Sequence, residues 1–393
     1  MTEVVDGSRG RVGLFVSTDL FEHFYGDALG LTVEQYLATY RNEWSWDYMS
    51  LLRGAGVEPT LYVASRVHDG LHLTADGFRV RFLRAGLLYR LFERLPTMRR
   101  SALWRWVAGA VNGLSVTRGL RRAGQVDRLD LLLLQEYWTG RLDVLAHTLR
   151  VPLVAMDHGM PERGELRVFK ARALARLLSA TVQTEAELRK VRAYGQNVVK
   201  LPNGVDTSFF APGDPKAREQ VVVSVGRLLE AQKCQGDLVA ALALLPEPWR
   251  LELYGRGPDE DHLRREVERL GVGDRVVFHG FADRARLREV YRTAGVVALP
   301  SAYEGLPLVL LEAMACAAAV VGTDIPPIAE VLEDGTSGIV IPVHRPDLLA
   351  SAITTAWDQR ERLGAAAALR VRRTFSREQL RDGLLDLLAQ ARG

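Results

Sequence analysis

Between Gln220 and Ile341 a short apolar run recurs at nearly even spacing: Gln220–Val225, Leu251–Tyr254, Arg275–His279, Val296–Leu299, Ala319–Gly322 and Gly338–Ile341. Each run is too short to be a buried helix, and stretches of helical periodicity lie between them. Short apolar strands alternating with helices are buried on both faces only as a parallel sheet covered by helices. The first half repeats the pattern with Arg11–Thr18, Thr60–Ala64, Phe78–Leu83, Leu129–Leu134, Pro152–Met156, Ala180–Gln183 and Val198–Leu201. Its expected helices are 33–53, stopped by Gly54-Ala55-Gly56, then 84–122, 141–150, 162–178 and one N-capped by Thr184. Asp19–Thr32 reads as a polar, glycine-dotted loop. The two series are divided by PNGVDTSFFAPGDP, which carries Pro202, Pro212, Gly213 and Pro215 and has no periodicity. The expectation is an α/β protein of two doubly wound domains facing across a cleft, residues 1–206 and 207–375. Ligands of such sheets sit outside the carboxyl ends of the strands.

Composition narrows the class. The 393 residues suffice for two domains, and 48% hydrophobic with 25% charged residues is ordinary for a globular protein. A net charge of +3 gives no nucleic-acid signal. Cys234 and Cys316 are too few for a disulfide framework and lack metal-site spacing, which fits a reducing cytoplasm. The N-terminal stretch is polar, so no signal peptide is expected, and no run of about 18 apolar residues suggests a membrane span. Charge is uneven, however: from Arg81 to Arg122 there are ten Arg against one acid, Glu93. With Trp104, Trp106, Leu87, Leu88 and Leu91 among them, residues 83–122 suit either an anionic membrane surface or a buried amphipathic helix with a solvated Arg face. The high Arg, Ala and Leu usage suggests a GC-rich bacterial source.

The chemistry concentrates in Ala298–Val321, ALPSAYEGLPLVLLEAMACAAAVV. A strand ends at Leu299, the chain turns through residues 300–306, and Pro307 is expected to start a helix. Glu304 precedes that helix, and Glu312 interrupts its apolar run roughly 7–8 Å further along the axis. A carboxylate there is costly unless it is paired or hydrogen-bonded. Glu304 could be a simple cap and Glu312 the partner of a buried Arg. Together they also flank a helix N-terminus suited to phosphate. Upstream, the strand ending at Val225 runs into Gly226-Arg227-Leu228, with Lys233 following. Gly permits close approach and the two cations suit a diphosphate, although alone they read as solvated surface charges. Gly255 opens Tyr254-Gly255-Arg256-Gly257-Pro258, a turn between strand and helix. Asp259-Glu260-Asp261 opens that helix and is better explained by capping than by metal binding. His158, in Asp157-His158-Gly159, lies at a strand end.

Glu304, seven residues, Glu312 resembles the E-x7-E motif of the retaining GT-B glycosyltransferases of family 4. The runs VGRL…KC and YGRGPDEDHLRREVERLGVGDRVVFHGF are similar to that family's GRL…KG and GxGP…LG…VxFxG blocks, and PNGVD matches its domain junction. The resemblance spans about residues 152–342. It implies two Rossmann-like domains in the GT-B arrangement, with residues 376–393 packing back on the first. It also implies a cytoplasmic transferase, peripheral on the inner membrane face in one reading, that uses a nucleotide-sugar donor. Donor contacts fall on Gly226, Arg227, Lys233, Gly255, Glu304, Gly305, Leu306, Pro307, Leu308 and Glu312. The catalytic roles fall on His158, Glu304, Arg227 and Lys233, with Glu312 on the donor ribose and Gly255 lining the base pocket. No cofactor and no metal are expected, and the acceptor, a glycan, lipid or small natural product, stays open. Departures exist. Cys234 stands for a glycine, Asp324-Ile325-Pro326-Pro327-Ile328-Ala329-Glu330 has prolines for glycines, and the glycine pair after the first strand is missing. A nucleotide-sugar 2-epimerase or an inactive donor-binding module on the same fold are the rival readings.

Overall fold

A computed structural model describes residues 9–16, 20–41, 44–86, 89, 102–157 and 167–393. The chain divides into two compact units, 1–201 with 381–393, and 202–380. The division falls a few residues before the 206/207 boundary expected from the loop's composition.

The first unit holds an eight-stranded sheet in the order β3-β4-β2-β1-β5-β6-β7-β8. Its strands are β1 Arg11–Val16, β2 Glu58–Ser65, β3 Gly70–Leu73, β4 Arg79–Arg84, β5 Leu131–Gln135, β6 Leu153–Met156, β7 Ser179–Val182 and β8 Val198–Lys200. All pairs are parallel except β3 with β4, which form a hairpin absent from the sequence expectation. β3 was missed because it alternates between half-buried and exposed on an edge, with Leu71 and Leu73 open to solvent. The helices are α1 Val33–Ala38, α2 Trp44–Gly54, α3 Ala102–Val126, α4 Gly140–Thr148, α5 Arg167–Leu174 and α6 Glu185–Arg192. The helix expected over 33–53 is therefore two helices, the first opened by a Thr32/Gln35 capping box. Asp19–Thr32 is not a plain loop. Glu22–Ala28 forms a π-helical segment, drawn in by Phe21 and Tyr25, which are buried against Tyr36 and Phe82. Arg84 ends a strand rather than beginning a helix.

The second unit is a six-stranded, wholly parallel sheet in the order β11-β10-β9-β12-β13-β14. The strands are β9 Val221–Val225, β10 Arg250–Tyr254, β11 Val276–Gly280, β12 Val296–Leu299, β13 Ala319–Thr323 and β14 Ile339–Ile341. The helices are α7 Glu230–Lys233, α8 Gln235–Leu244, α9 Glu260–Arg269, α10 Arg284–Thr293, α11 Leu308–Ala315, α12 Pro326–Leu332, α13 Pro346–Asp358, α14 Arg360–Thr374 and α15 Arg377–Arg392. Strand residues alternate between two cores. Val221, Val223, Val297 and Leu299 face α11, α12 and α14 through Leu310, Leu311, Val331 and Val371. Val222, Leu251, Val296 and Ala298 face α8 and α13 through Leu238, Leu242, Leu349 and Ile353. Residues 381–393, most of α15 and the residue after it, belong to the first unit, where Leu388 lies beside Gly10 and Leu201 beside Gly383.

Candidate functional site

Chain order along the second sheet reverses between β9 and β12. The carboxyl ends of two such strands form the switch point at which doubly wound sheets hold ligands. Gly226 follows β9 and Gly255 follows β10. Gly255 has φ +140°, and a Cβ there would lie 1.9 Å from the Gly226 carbonyl oxygen, so only glycine fits. The Gly226 N–H donates to the Tyr254 carbonyl at 2.9 Å, which fixes the two turns together.

The chain then enters α7, whose Glu230 N–H donates to Asp259 Oδ2 at 2.8 Å. Asp259 was expected to cap its own helix; it makes no such bond and serves α7 instead. The last residue of α7 is Lys233. Its Nζ donates to Glu304 Oε1 at 2.5 Å, with the side chains 14% and 9% exposed. Ser301 Oγ donates to the same oxygen at 2.6 Å, and the Ser301 carbonyl is held by Thr323 Oγ1 at 2.5 Å. Gln232 ties the two loops: its carbonyl accepts from Ala302 N–H at 2.8 Å, and its Nε2 donates to the Tyr303 carbonyl at 3.2 Å. Among the described residues, Glu304 Oε2 accepts no hydrogen bond and Lys233 meets no other acceptor. A half-buried pair therefore keeps one carboxylate oxygen and two ammonium protons for a ligand.

Arg227 is exposed at the same strand end. Among the described residues only its carbonyl is engaged, by Gln235 Nε2 at 2.9 Å. Glu312 is half-buried on α11, where the Tyr291 hydroxyl donates to Oε2 at 3.4 Å. Burial, with the Glu312 charge added, pushes the Tyr291 phenol far above its usual range, so it remains a donor. Gly305 and Leu306 are half-buried, Pro307 is buried and Leu308 is exposed. Pro307 is the N-cap of α11, one residue outside the helix it was expected to start. The Leu308 N–H turns back to the Leu306 carbonyl at 2.9 Å, so that donor is not offered outward.

The model of a family described as glycosyl transferases group 1 matches residues 206–370. The chain is 33% identical over 288 residues to a D-inositol 3-phosphate glycosyltransferase of Xylanimonas cellulosilytica, covering 66% of this chain and 68% of the relative. It is 31% identical over 372 residues to that of Kineococcus radiotolerans, covering 81% and 82%. The chain belongs to the glycosyl transferases group 1 family. Other relatives are matched over less of their length, 45% in Mycobacteroides abscessus. The fold is GT-B. It resembles a sucrose-phosphate synthase from Thermosynechococcus elongatus, with TM-score 0.73, 21% identity, and 97% and 99% of the two chains covered. It also resembles Anabaena HepE in complex with UDP, with TM-score 0.70, 17% identity, and 97% and 99% covered.

In this glycosyltransferase the structure brings Gly226, Lys233, Gly255 and Glu304 to one switch point. His158 lies outside the described residues. The PNGVD segment is paired rather than open: Val205 N–H donates to Phe375 O at 2.7 Å, and Arg377 meets Asp206 at 2.8 Å. The prolines of 324–330 open α12 as Pro326 and Pro327, the first helical turn where no N–H is lost. Ser301, Thr323, Gln232 and Tyr291 escaped sequence reasoning. Only Ser301 had a local signal, three residues before Glu304. In the first unit the corresponding switch lies at β5, whose carboxyl end leads into Glu136 at φ +65°. A non-glycine residue held there is a strained position of the kind found at functional sites.

Proposed function

We propose that this enzyme transfers a sugar, with retention at the anomeric carbon and without a metal ion, from a nucleotide-sugar to a phosphorylated polyol. The Lys233–Glu304–Ser301 cluster carries the reading: it sits at the switch point of β9 and β12 with donors and an acceptor to spare. The two spare Lys233 protons and the exposed Arg227 guanidinium meet the diphosphate. Glu304 Oε2 accepts from a sugar hydroxyl, and Glu312 accepts from the ribose hydroxyls. As the bond from the anomeric carbon to the diphosphate oxygen breaks, charge grows on the diphosphate, and fixed cations stabilise it most at that moment. The acceptor oxygen attacks from the leaving-group face and its proton passes to a donor phosphate oxygen, with His158 at the reacting centre. The polyol phosphate is supported by the names of the relatives, and the UDP complex of HepE supports the donor class.

A thermal-shift panel of sugar nucleotides identifies the donor. That donor is then incubated with and without inositol phosphate, and product mass and anomeric configuration are read. Transfer to the acceptor with retained configuration supports the reading. An isomerised donor without acceptor means the 2-epimerase, and binding without turnover means the inactive module. Turnover abolished by EDTA and restored by magnesium or manganese overturns metal independence.

The exposed face of α3 supports contact with an anionic membrane as well. Leu103, Trp104 and Leu114 are open to solvent beside Arg105, Arg118 and Arg122. Trp106 does not contribute, because its Nε1 donates inward to Asp143 at 2.7 Å. Leu87, Leu88 and Leu91 lie outside the described residues, and no described helix is long and apolar enough to cross a membrane. Salt-sensitive co-sedimentation with anionic vesicles is the expected result, and its absence rejects the contact.

A further inference from the structure

Cys234, Asp237 and His344 are separated in sequence by more than a hundred residues at the far end, so no spacing rule finds them. The fold brings one ligand atom of each within 4.8 Å of the others. Cys234 is the N-cap of α8, Asp237 stands in its first turn, and His344 precedes α13, which packs beside α8. We infer that these three side chains form a zinc-binding site, distinct from the Lys233–Glu304 pair, that clips the turn carrying Lys233 to the β14–α13 loop.

The geometry supports it. The donor set is thiolate, carboxylate and imidazole, the mixture zinc accepts in tetrahedral geometry. Asp237 Oδ2 and His344 Nδ1 already stand 3.3 Å apart. Two ligands at zinc-bond length and tetrahedral angle are separated by about 3.3 Å, and a thiolate needs about 3.5 Å, so the Cys234 Sγ, which donates to the Gln232 carbonyl at 3.9 Å and lies within 4.8 Å of both, would close onto the metal on binding. The Asp237 Oδ2 atom is buried and faces the His344 imidazole, a contact that a cation held between the two would replace. Finally, Cys234 and His344 are two of only six non-glycine residues with positive φ among the described residues, at +49° and +56°.

The nearby Glu230 carboxylate is committed elsewhere, both oxygens accepting from Gly236 N–H at 3.0 and 3.1 Å, so it does not compete as a ligand. Three protein ligands leave a fourth position for water, and the metal takes no part in sugar transfer.

The test is metal content and spectroscopy on the full chain. Purified protein dialysed against trace zinc is expected to retain about one zinc per chain. Cobalt substitution is expected to give a thiolate-to-metal charge-transfer band and the strong visible bands of a tetrahedral site. Zinc, but not magnesium, is expected to raise the thermal midpoint. Cys234→Ser should abolish the charge-transfer band, and His344→Gln should weaken zinc binding at least about tenfold. Because the His344 side chain is 64% exposed, that variant folds and decides the matter even if Cys234→Ser does not. Absence of a thiolate band in the wild type, or equal zinc retention in His344→Gln, overturns the site. So does a His344→Gln variant that loses stability while the wild type takes up no metal, since the trio would then be only a polar contact.

Discussion

Among the described residues, each unit has one inward lysine–carboxylate pair, and the two pairs are finished differently. In the first unit Lys170 Nζ donates to Asp143 Oδ1 at 2.8 Å, to the Tyr137 carbonyl at 2.5 Å and to the Thr139 carbonyl at 3.0 Å. Trp106 Nε1 takes the other Asp143 oxygen. The side chains are 1% and 5% exposed. In the second unit Lys233 meets Glu304 alone, and Glu304 keeps an oxygen open. A buried ion pair whose hydrogen-bonding capacity is filled by the protein is a structural joint. One of similar chemistry with capacity to spare is arranged for a ligand. Saturation, rather than burial or charge, separates the two.

The largest expected effect comes from breaking the closed joint. Lys170→Ala leaves Asp143 charged and buried and two carbonyls without their donor, and should lower unfolding free energy by about 3–5 kcal/mol. Denaturant unfolding checks it, and a loss below about 1 kcal/mol would make the joint no more structural than the open pair. Lys233→Ala should do the reverse: a smaller stability loss than Lys170→Ala, because Glu304 keeps its Ser301 hydrogen bond and one open oxygen, but kcat lower by something on the order of a hundredfold, as for one lost oxyanion donor. Arg227→Ala should behave similarly. If steady-state kinetics at saturating acceptor show affinity changed and kcat intact, these cations bind only the ground state. Glu312→Gln should leave kcat alone and weaken donor binding about ten- to a hundredfold, since a charge-assisted hydrogen bond contributes roughly 1.5–3 kcal/mol and the ribose is unchanged in the reaction. Calorimetry showing affinity within about twofold removes Glu312 from the ribose.

The smallest effect concerns a second saturated cluster. Asp127, 2% exposed, accepts from Arg81 and Arg79 at 2.6–2.8 Å and from the Tyr62 hydroxyl at 2.5 Å. Burial alone would raise its pKa, but the hydrogen bonds from Arg81 and Tyr62 and the charges of both arginines outweigh it, and the value lies below the ordinary 3.8. A depressed carboxylate contributes stability above the unfolded-state pKa and loses it as pH falls through the folded-state value. The stability gap between wild type and Asp127→Asn should therefore be constant near neutrality and shrink below about pH 4. A gap that widens on acidification would reverse the assigned shift.

What the sequence made legible follows the same division. All six strands of the second unit were placed within a residue or two, because each is a short apolar run between helices of matching period. Gly226, Gly255 and Glu304 carried local signatures, since a turn that needs glycine and a charge beside a helix start are visible in a few residues. Partners arriving from elsewhere were not. Thr323 Oγ1 reaches the Ser301 carbonyl only after β12 and β13 pair, and Tyr291 meets Glu312 from another helix. In the first unit Val33–Ala38 and Trp44–Gly54 were read as one helix because aromatic residues continue across the break between them. Lys170 and Asp143 gave no signal at all, because their meaning depends on three carbonyl and carboxylate oxygens gathered by the fold.

The return of α15 to the first unit has a consequence for the growing chain on the ribosome. Leu384, Leu387 and Leu388 are each 1–3% exposed. Leu388 lies beside Gly10, and Arg392 Nη1 donates to the Arg9 carbonyl at 2.6 Å. Residues 202–380 therefore emerge with everything their own sheet requires, while the earlier-made half still lacks its covering leucines. Domains ordinarily complete in the order they are synthesised. Here the later-made unit is finished first, and the first waits, with apolar surface uncovered, for α15 to leave the exit tunnel.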